Sequence, residues 1–134
     1  MTTTTNLDPR WSRRRSEKQR RLEQVRSLAD GVVLPTDKIV AALEALIAPG
    51  DRVVLEGNNQ KQADFLSRSL AQADPGQLHA LHMIMPSVGR AEHPAPFERG
   101  IARQLDFSFA GTQSLRTRQL LDDCLLAIRA VHTY

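Results

Sequence analysis

The chain has 134 residues, 41% of them hydrophobic and 25% charged, with a formal net charge of +3. This composition predicts a globular domain, or part of one, and excludes disorder throughout. Because no apolar run approaches the roughly 18 residues that span a bilayer, and because no secretory signal is present, we expect a cytoplasmic protein that does not enter a membrane.

The positive charge is concentrated at the N-terminus. Residues 1–30 carry eight Lys or Arg against four Asp or Glu, a net charge of +4, whereas the rest of the chain carries ten against eleven, or −1. We predict a flexible stretch over residues 1–9 and a basic helix over 10–30. The helix is open to three interpretations: a solvated face, a surface for an acidic partner, or a nucleic-acid contact. Trp11 is its only aromatic residue and no nucleic-acid-binding motif accompanies it, which favours the first two.

From residue 31 onward the pattern is that of an α/β domain, in which helices and strands alternate. Thr36 is predicted to cap a helix whose apolar face runs over residues 39–47. A buried strand, a helix and a second buried strand follow at residues 52–56, 61–73 and 78–85. A crossover this short between strands predicts a right-handed βαβ unit and a parallel sheet.

The C-terminal third predicts a loop over residues 86–96, a short helix over 97–103, a third strand over 105–109 and a last helix. Ser114 is expected to cap that helix, which then runs to Tyr134. Three strands leave a sheet edge uncovered, so we expect residues 31–134 to be the incomplete beginning of a longer domain.

The turn after the first strand is the best candidate for a binding site. In open parallel sheets ligands bind beyond the carboxyl ends of the strands. Gly57 permits close backbone approach, and Asn58, Asn59 and Gln60 offer amide donors to an anion or a polarised carbonyl oxygen. An oxyanion-stabilising or phosphate-binding loop is one interpretation. The other is that Gly57 makes the turn and an asparagine caps the next helix.

Few other residues suggest chemistry. Glu56 can act as a base or nucleophile, although such a residue more often pairs with Arg or Lys. His79 and His82 are three apart, which on a strand places them on opposite faces, so a shared metal is not expected. His93 and His132 have no assigned role, and we predict no metal site.

The remaining nucleophile candidates favour structural interpretations. Ser87 and Ser108 have no base nearby in the sequence and are interpreted as polar turn or strand residues. Cys124 lies among leucines at helical spacing and is expected to be a buried, small apolar residue. A single cysteine also agrees with a reducing compartment.

Four runs along the chain carry a resemblance: PGDRVVLEGNNQKQADFL at 49–66, LHMIMPSV at 81–88, FERGIA at 97–102 and LDFSFAG at 105–111. Together they closely resemble the α subunit of bacterial malonate decarboxylase, from about Trp11 onward. That subunit is an acyl-carrier-protein transferase with a coenzyme A transferase-like fold. It exchanges acetyl for malonyl on the carrier thiol, so that other subunits can decarboxylate the malonyl group.

The resemblance implies partners and a role for the turn. The partners are an acyl carrier protein and the decarboxylase subunits, with malonate and acetate as small molecules and no nucleic acid. No cofactor is bound directly, because the reaction takes place on the coenzyme A-derived thiol prosthetic group of the carrier. In related folds a glycine-containing turn near the N-terminus helps to hold the thioester carbonyl, so Gly57, Asn58, Asn59 and Gln60 are expected to stabilise the oxyanion.

The chain departs from the family in length. The family's subunit is several times longer, and the match covers only its N-terminal portion, so we expect a truncated form. The glutamate that many coenzyme A transferases use as nucleophile lies later in that architecture, and Glu56 does not sit in that motif. The alternative function is therefore a non-catalytic fragment that acts as an assembly or interaction module.

Overall fold

A computed structural model describes residues 9–57, 63–109 and 111–131. The chain divides into two compact units, Met1–Leu46 and Ile47–Tyr134. Over the described residues, no helix combines the length and the apolar character that a membrane crossing requires. The predicted division into a flexible stretch, a basic helix over 10–30 and a domain over 31–134 stays a prediction, and residues 1–8 lie outside the described part.

The first unit contains two helices in contact with each other, α1 at Pro9–Arg26 and α2 at Ile39–Leu46. Helix α1 ends four residues before the predicted position. Gly31, with φ of +61°, reverses the chain, and the backbones of Asp30 and Val33 exchange two hydrogen bonds of 2.8 and 3.0 Å. Those bonds engage the backbone of Asp30 in a turn, so it does not continue the helix.

The predicted cap at Thr36 is wrong. Thr36 begins a 3-10 turn, Thr36–Lys38, that leads into α2, and Pro35 occupies the cap position without a side-chain hydrogen bond. The turn is closed by the backbone, where Lys38 N donates to Pro35 O at 3.0 Å. A rigid proline before the turn therefore replaces the expected hydroxyl cap.

The second unit is built on a four-stranded parallel sheet, which confirms the predicted α/β class. The strands follow one another in space in chain order: β1 at Arg52–Val54, β2 at Leu81–Ser87, β3 at Ala102–Phe109 and β4 at Ala127–Val131. Each connection contains one helix: α3 at Asp64–Leu70, α4 at Ala95–Glu98 and α5 at Ser114–Asp122. Crossovers of one hand between strands in this order place all three helices on the same face, and α3 contacts α4.

Strand β4 replaces the long C-terminal helix that the sequence predicted. Helix α5 ends at Asp122, and Cys124 adopts a left-handed φ of +57°. Cys124 N donates to Leu121 O at 3.1 Å and Leu125 N donates to Leu120 O at 2.9 Å, the two bonds of a Schellman motif. The prediction failed because glycine, the usual residue at this position, is replaced by cysteine. Cys124 is also exposed rather than buried.

The cap expected at Ser114 is also absent. A 3-10 turn, Gly111–Gln113, precedes α5, whose cap residue Gln113 makes no side-chain hydrogen bond. Ser114 is the first residue of the helix. A hydroxyl one turn later does bond to the cap residue: Thr117 Oγ1 donates to Gln113 O at 2.8 Å.

Several boundaries differ from the predictions because turns interrupt the apolar runs. Strand β2 begins at Leu81 instead of residue 78, since Ala80 has a left-handed φ of +56°. Leu78 is fully buried, yet it lies in the turn that Asp74 O closes. Helix α4 ends at Glu98, and Gly100, with φ of +75°, directs the chain into a longer β3.

The core of the second unit lies on one face of the sheet. Leu81, Met83 and Met85 of β2 and Leu105 of β3 are each no more than 1% exposed. The register places Met83 beside Leu105, so that alternate residues of neighbouring strands point to the same side. Strand β1 lies at an edge of the sheet, and Val54 is 72% exposed, so the expectation of a buried first strand is wrong.

We expect Leu105→Ala to lower the free energy of unfolding by about 2–5 kcal/mol, because it removes buried methyl groups and leaves a cavity in a central strand. The matched control is Leu115→Ala on α5, where the leucine is 82% exposed. Urea unfolding of both variants checks this expectation. Equal midpoints for the two variants would contradict the placement of the core.

Candidate functional site

The candidate site lies at the carboxyl edge of the sheet, where β1 and β2 end. The last residue that pairs β2 with β1 is Ile84, and β2 continues to Ser87. Gly57 returns to β2 at this point, where Ser87 Oγ donates to Gly57 O at 2.9 Å. A hydroxyl and a backbone carbonyl therefore join the two chain segments beyond their strand pairing.

Glycine is required at position 57 because the backbone of Ser87 approaches it closely. A Cβ built on Gly57 would lie 2.1 Å from Ser87 O and 3.3 Å from His93 Cε1. The first distance is a collision with backbone, which cannot move aside as a flexible side chain can. The structure thus places Gly57 where the sequence predicted a turn, against Ser87 and beside His93. Asn58, Asn59 and Gln60 lie outside the described residues, so their expected roles stay predictions.

His93 is the residue that the sequence left without a role. It is fully buried, and its Nδ1 accepts a hydrogen bond from Arg90 N at 3.3 Å. Because Nδ1 accepts, the neutral ring carries its proton on Nε2. His93 Nε2 is buried and has no hydrogen-bond partner among the described residues. The site therefore contains a buried N–H donor that no described protein group uses.

Charges surround His93 on two elements. Arg68 of α3 lies 3.5 Å from Asp64 and 4.0 Å from Glu92, and Arg90 lies 3.8 Å from Glu92. Burial lowers the pKa of His93 below its ordinary value of 6.5, because desolvation disfavours the imidazolium. Glu92 and Asp64 oppose this shift and Arg90 adds to it. The net result is a neutral imidazole at pH 7.

The segment that carries His93 is fixed from the next crossover. Thr112 Oγ1 donates to Gly89 O at 3.1 Å, and Arg116 of α5 donates to Ala91 O at 2.6 Å. The same guanidinium pairs with Glu98 through two nitrogens. Since Gly89 and Ala91 flank Arg90, these bonds hold in place the backbone that orients the imidazole.

Two further polar atoms at the ends of the strands are buried without a hydrogen-bond partner among the described residues. They are Glu56 Oε1, just before Gly57, and Ser108 Oγ, next to the last residue of β3. No ion pair of Glu56 with Arg or Lys is found within the described ranges, so the pairing interpretation of Glu56 is not supported there. Buried polar groups normally have partners, which makes this edge the natural place for a polar ligand.

The other sequence candidates lie elsewhere. His79 precedes β2 and Cys124 precedes β4, which places both at the amino ends of strands. His82 Nε2, within β2, lies 2.9 Å from Asp106 Oδ1, without the alignment of a hydrogen bond. His79 and His82 therefore do not occupy opposite faces of one strand, because only His82 belongs to a strand. In the described part of the chain no three His, Cys, Asp or Glu side chains are grouped for a metal.

One signal in the sequence pointed to His93. The predicted loop over residues 86–96 directly follows the carboxyl end of a predicted strand, which is the position where parallel sheets bind ligands. By its position, a histidine in this loop is as strong a candidate for a binding residue as the asparagines after β1. The burial that makes His93 distinctive was not predictable, because it depends on contacts between separate crossovers.

Comparisons with known proteins give a consistent result. A family model described as malonate decarboxylase, alpha subunit, transporter matches residues 10–134. A protein of Malonomonas rubra named acetyl-S-ACP:malonate ACP transferase is 38% identical over 125 residues. The match covers 92% of this chain and 23% of that protein.

Solved structures agree with this relationship. A chain in the crystal structure of a Pseudomonas malonate decarboxylase hetero-tetramer in complex with malonate is 77% identical, with a TM-score of 0.88, over 95% of this chain and 23% of that chain. The malonate decarboxylase alpha subunit of Acinetobacter baumannii is 67% identical, with a TM-score of 0.88, over 92% and 23%. The chain thus spans about a quarter of the length of these relatives.

We expect Gly57→Ala to destabilise the protein by about 1–3 kcal/mol, since the new methyl group collides with the backbone of Ser87. Gly76→Ala is the matched control, because a Cβ there would first meet the Asp74 side chain, at 3.2 Å. Thermal or urea unfolding of both variants measures the difference. An unchanged midpoint for Gly57→Ala would show that Gly57 and Ser87 are not in close contact.

Proposed function

Since the chain belongs to the malonate decarboxylase alpha subunit family, we propose that it supplies part of the site of an acyl-carrier-protein transferase. In this reaction acetyl carrier and malonate give malonyl carrier and acetate. The name of the relative from M. rubra supports the reaction. The observation in the fold that best supports a role for this chain is the close approach of Gly57 to Ser87 and His93 at the carboxyl edge.

The proposed chemistry requires a site for negative charge. A carboxylate oxygen attacks the carbonyl carbon of the acetyl thioester, and the carbonyl oxygen becomes an oxyanion in the tetrahedral intermediate. When the carbon–sulfur bond breaks, the carrier leaves as thiolate and an acyl anhydride remains. The thiolate then attacks the malonyl carbonyl of the anhydride and acetate leaves. The same oxyanion forms whether the first carboxylate belongs to malonate or to a glutamate of the longer protein.

We assign the oxyanion to the segment that follows β1. Amide donors placed in advance where charge develops stabilise a transition state more than they stabilise the substrate. Gly57, Asn58, Asn59 and Gln60 supply backbone and side-chain amides of this kind. The fixed position of Gly57 against Ser87 supports the proposal, because it determines where this segment leaves the sheet.

In this proposal the chain needs no cofactor of its own. The reactive thiol belongs to the prosthetic group of the carrier protein, which the longer enzyme receives as a substrate. We further propose that the acyl carrier protein is an acidic partner and that decarboxylase subunits are the other partners. The Pseudomonas structure supports the proposal of partner subunits, because the related chain belongs to a malonate decarboxylase hetero-tetramer.

Helix α1 is the proposed docking surface for the carrier. Its exposed basic residues are Arg10, Arg13, Arg14, Arg15, Lys18, Arg20 and Arg26. Only sparse apolar positions accompany them, and Trp11 is 66% exposed. A surface of this charge attracts an acidic protein over a distance of about a Debye length, roughly 8–10 Å at physiological salt.

We expect Asn58→Ala and Asn59→Ala, each made in a full-length enzyme that contains this segment, to lower the exchange rate at unchanged folding. The loss of one oxyanion donor costs about 10²–10³-fold in kcat. The matched control is Gln72→Ala, which removes an exposed amide after α3. The measurement is acetyl-to-malonyl exchange on purified carrier, and full activity in both asparagine variants would contradict the proposal.

Charge reversal tests the docking surface. We expect the combined change Arg13→Glu, Arg14→Glu and Arg15→Glu in the full-length enzyme to raise the KM for the carrier by about tenfold and to weaken its salt dependence. The control reverses three exposed arginines of the second unit: Arg99, Arg103 and Arg129. If both triple variants have the same KM, α1 is not the docking surface.

A further inference from the structure

We propose that His93 is a catalytic hydrogen-bond donor whose Nε2–H binds the acyl carbonyl oxygen beside Gly57. This inference rests on the proposed function, since it assigns a further group to the same site. It concerns a side chain 36 positions after Gly57, in a different crossover. Position, tautomer, charge and anchoring each support it.

The position of the ring follows from its distance to Gly57. His93 Cε1 lies 3.3 Å from the place that a Cβ on Gly57 would occupy. Because Cε1 is bonded to both ring nitrogens, Nε2 is one bond away from the atom that faces Gly57. The donor therefore lies beside the point where the proposed oxyanion loop begins.

The tautomer leaves this nitrogen as a donor. Nδ1 accepts the hydrogen bond from Arg90 N, so the proton of the neutral ring lies on Nε2. His93 Nε2 is buried and has no partner among the described residues. A buried N–H group without a partner is costly to maintain, and a carbonyl oxygen that arrives with the substrate would satisfy it.

The charge state fits this task. A neutral imidazole donates to an oxyanion without adding a fixed positive charge that would bind carboxylates unselectively. The charged groups around it are Asp64 from α3 and Arg90 and Glu92 from its own segment. Burial outweighs the two carboxylates and keeps the ring neutral, so the donor is available at pH 7.

The hydrogen bonds that hold the imidazole ring do not involve Nε2, so a purely structural role does not account for the Nε2–H group. The bond from Arg90 N already fixes the imidazole through Nδ1. The backbone of His93 is held as well, since His93 N donates to Arg90 O at 3.1 Å. The Nε2–H group is therefore not needed to hold the ring in place.

Two substitutions in the full-length enzyme separate the functions of the two nitrogens. In His93→Asn an amide oxygen takes the place of Nδ1 and accepts from Arg90 N, but the donor at the distal position is lost. In His93→Gln an amide nitrogen takes the place of Nε2 and restores that donor. We expect His93→Asn to lower kcat about 10²-fold with a nearly unchanged KM for the carrier, and His93→Gln to stay within about tenfold of the parent.

The contrary results are distinct. Full activity of His93→Asn would overturn the inference. So would an equal loss in both variants together with a lowered melting temperature, because that pattern indicates that the ring only holds its own segment. Asn58→Ala and Asn59→Ala are measured in parallel: if they reduce exchange while His93→Asn does not, only the His93 inference fails. If the asparagine variants are fully active, the proposed function fails as well.

Discussion

The contact between Gly57 and the backbone of Ser87 is the constraint on which the candidate site depends. Strand β1 pairs with β2 only through three residues, ending at Val54. Beyond that point Leu55 N donates to Ile84 O at 3.0 Å, and the hydroxyl of Ser87 donates to Gly57 O, where the absence of a side chain on Gly57 permits close approach. The same absence of a side chain admits the ring of His93. A glycine after an edge strand thus brings together groups from two crossovers.

The parallel sheet explains why polar atoms collect at this edge. Core side chains such as Met83 and Leu105 fill the buried face of the sheet. The residues that directly follow each strand in the sequence lie at its carboxyl end. Glu56, His93 and Ser108 each bring a buried atom without a partner among the described residues to these ends. Since unpaired buried groups are uncommon in stable folds, these three atoms are candidates to contact a polar ligand at the ends of the strands.

The sequence predicted the parallel α/β class and three of the strands because apolar runs and turn residues are local signals. It missed β4 because the helix stop at Cys124 is not a glycine, and because strand pairing with β3 is a long-range interaction. The importance of Gly57 was visible from its position after a strand. The burial of His93 and its hydrogen bond from Arg90 N could not be predicted from the sequence, because they arise only when separate crossovers pack together.

The central claim is that the acyl carbonyl oxygen binds at the carboxyl ends of β1 and β2, beside Gly57 and His93. A crystal structure of the full-length enzyme with a stable acetyl-pantetheine analogue tests this most directly. The account predicts that the carbonyl oxygen lies about 2.7–3.2 Å from amide nitrogens of residues 57–60 and from His93 Nε2. A thioester carbonyl bound beyond hydrogen-bond reach of every group on this edge would contradict it.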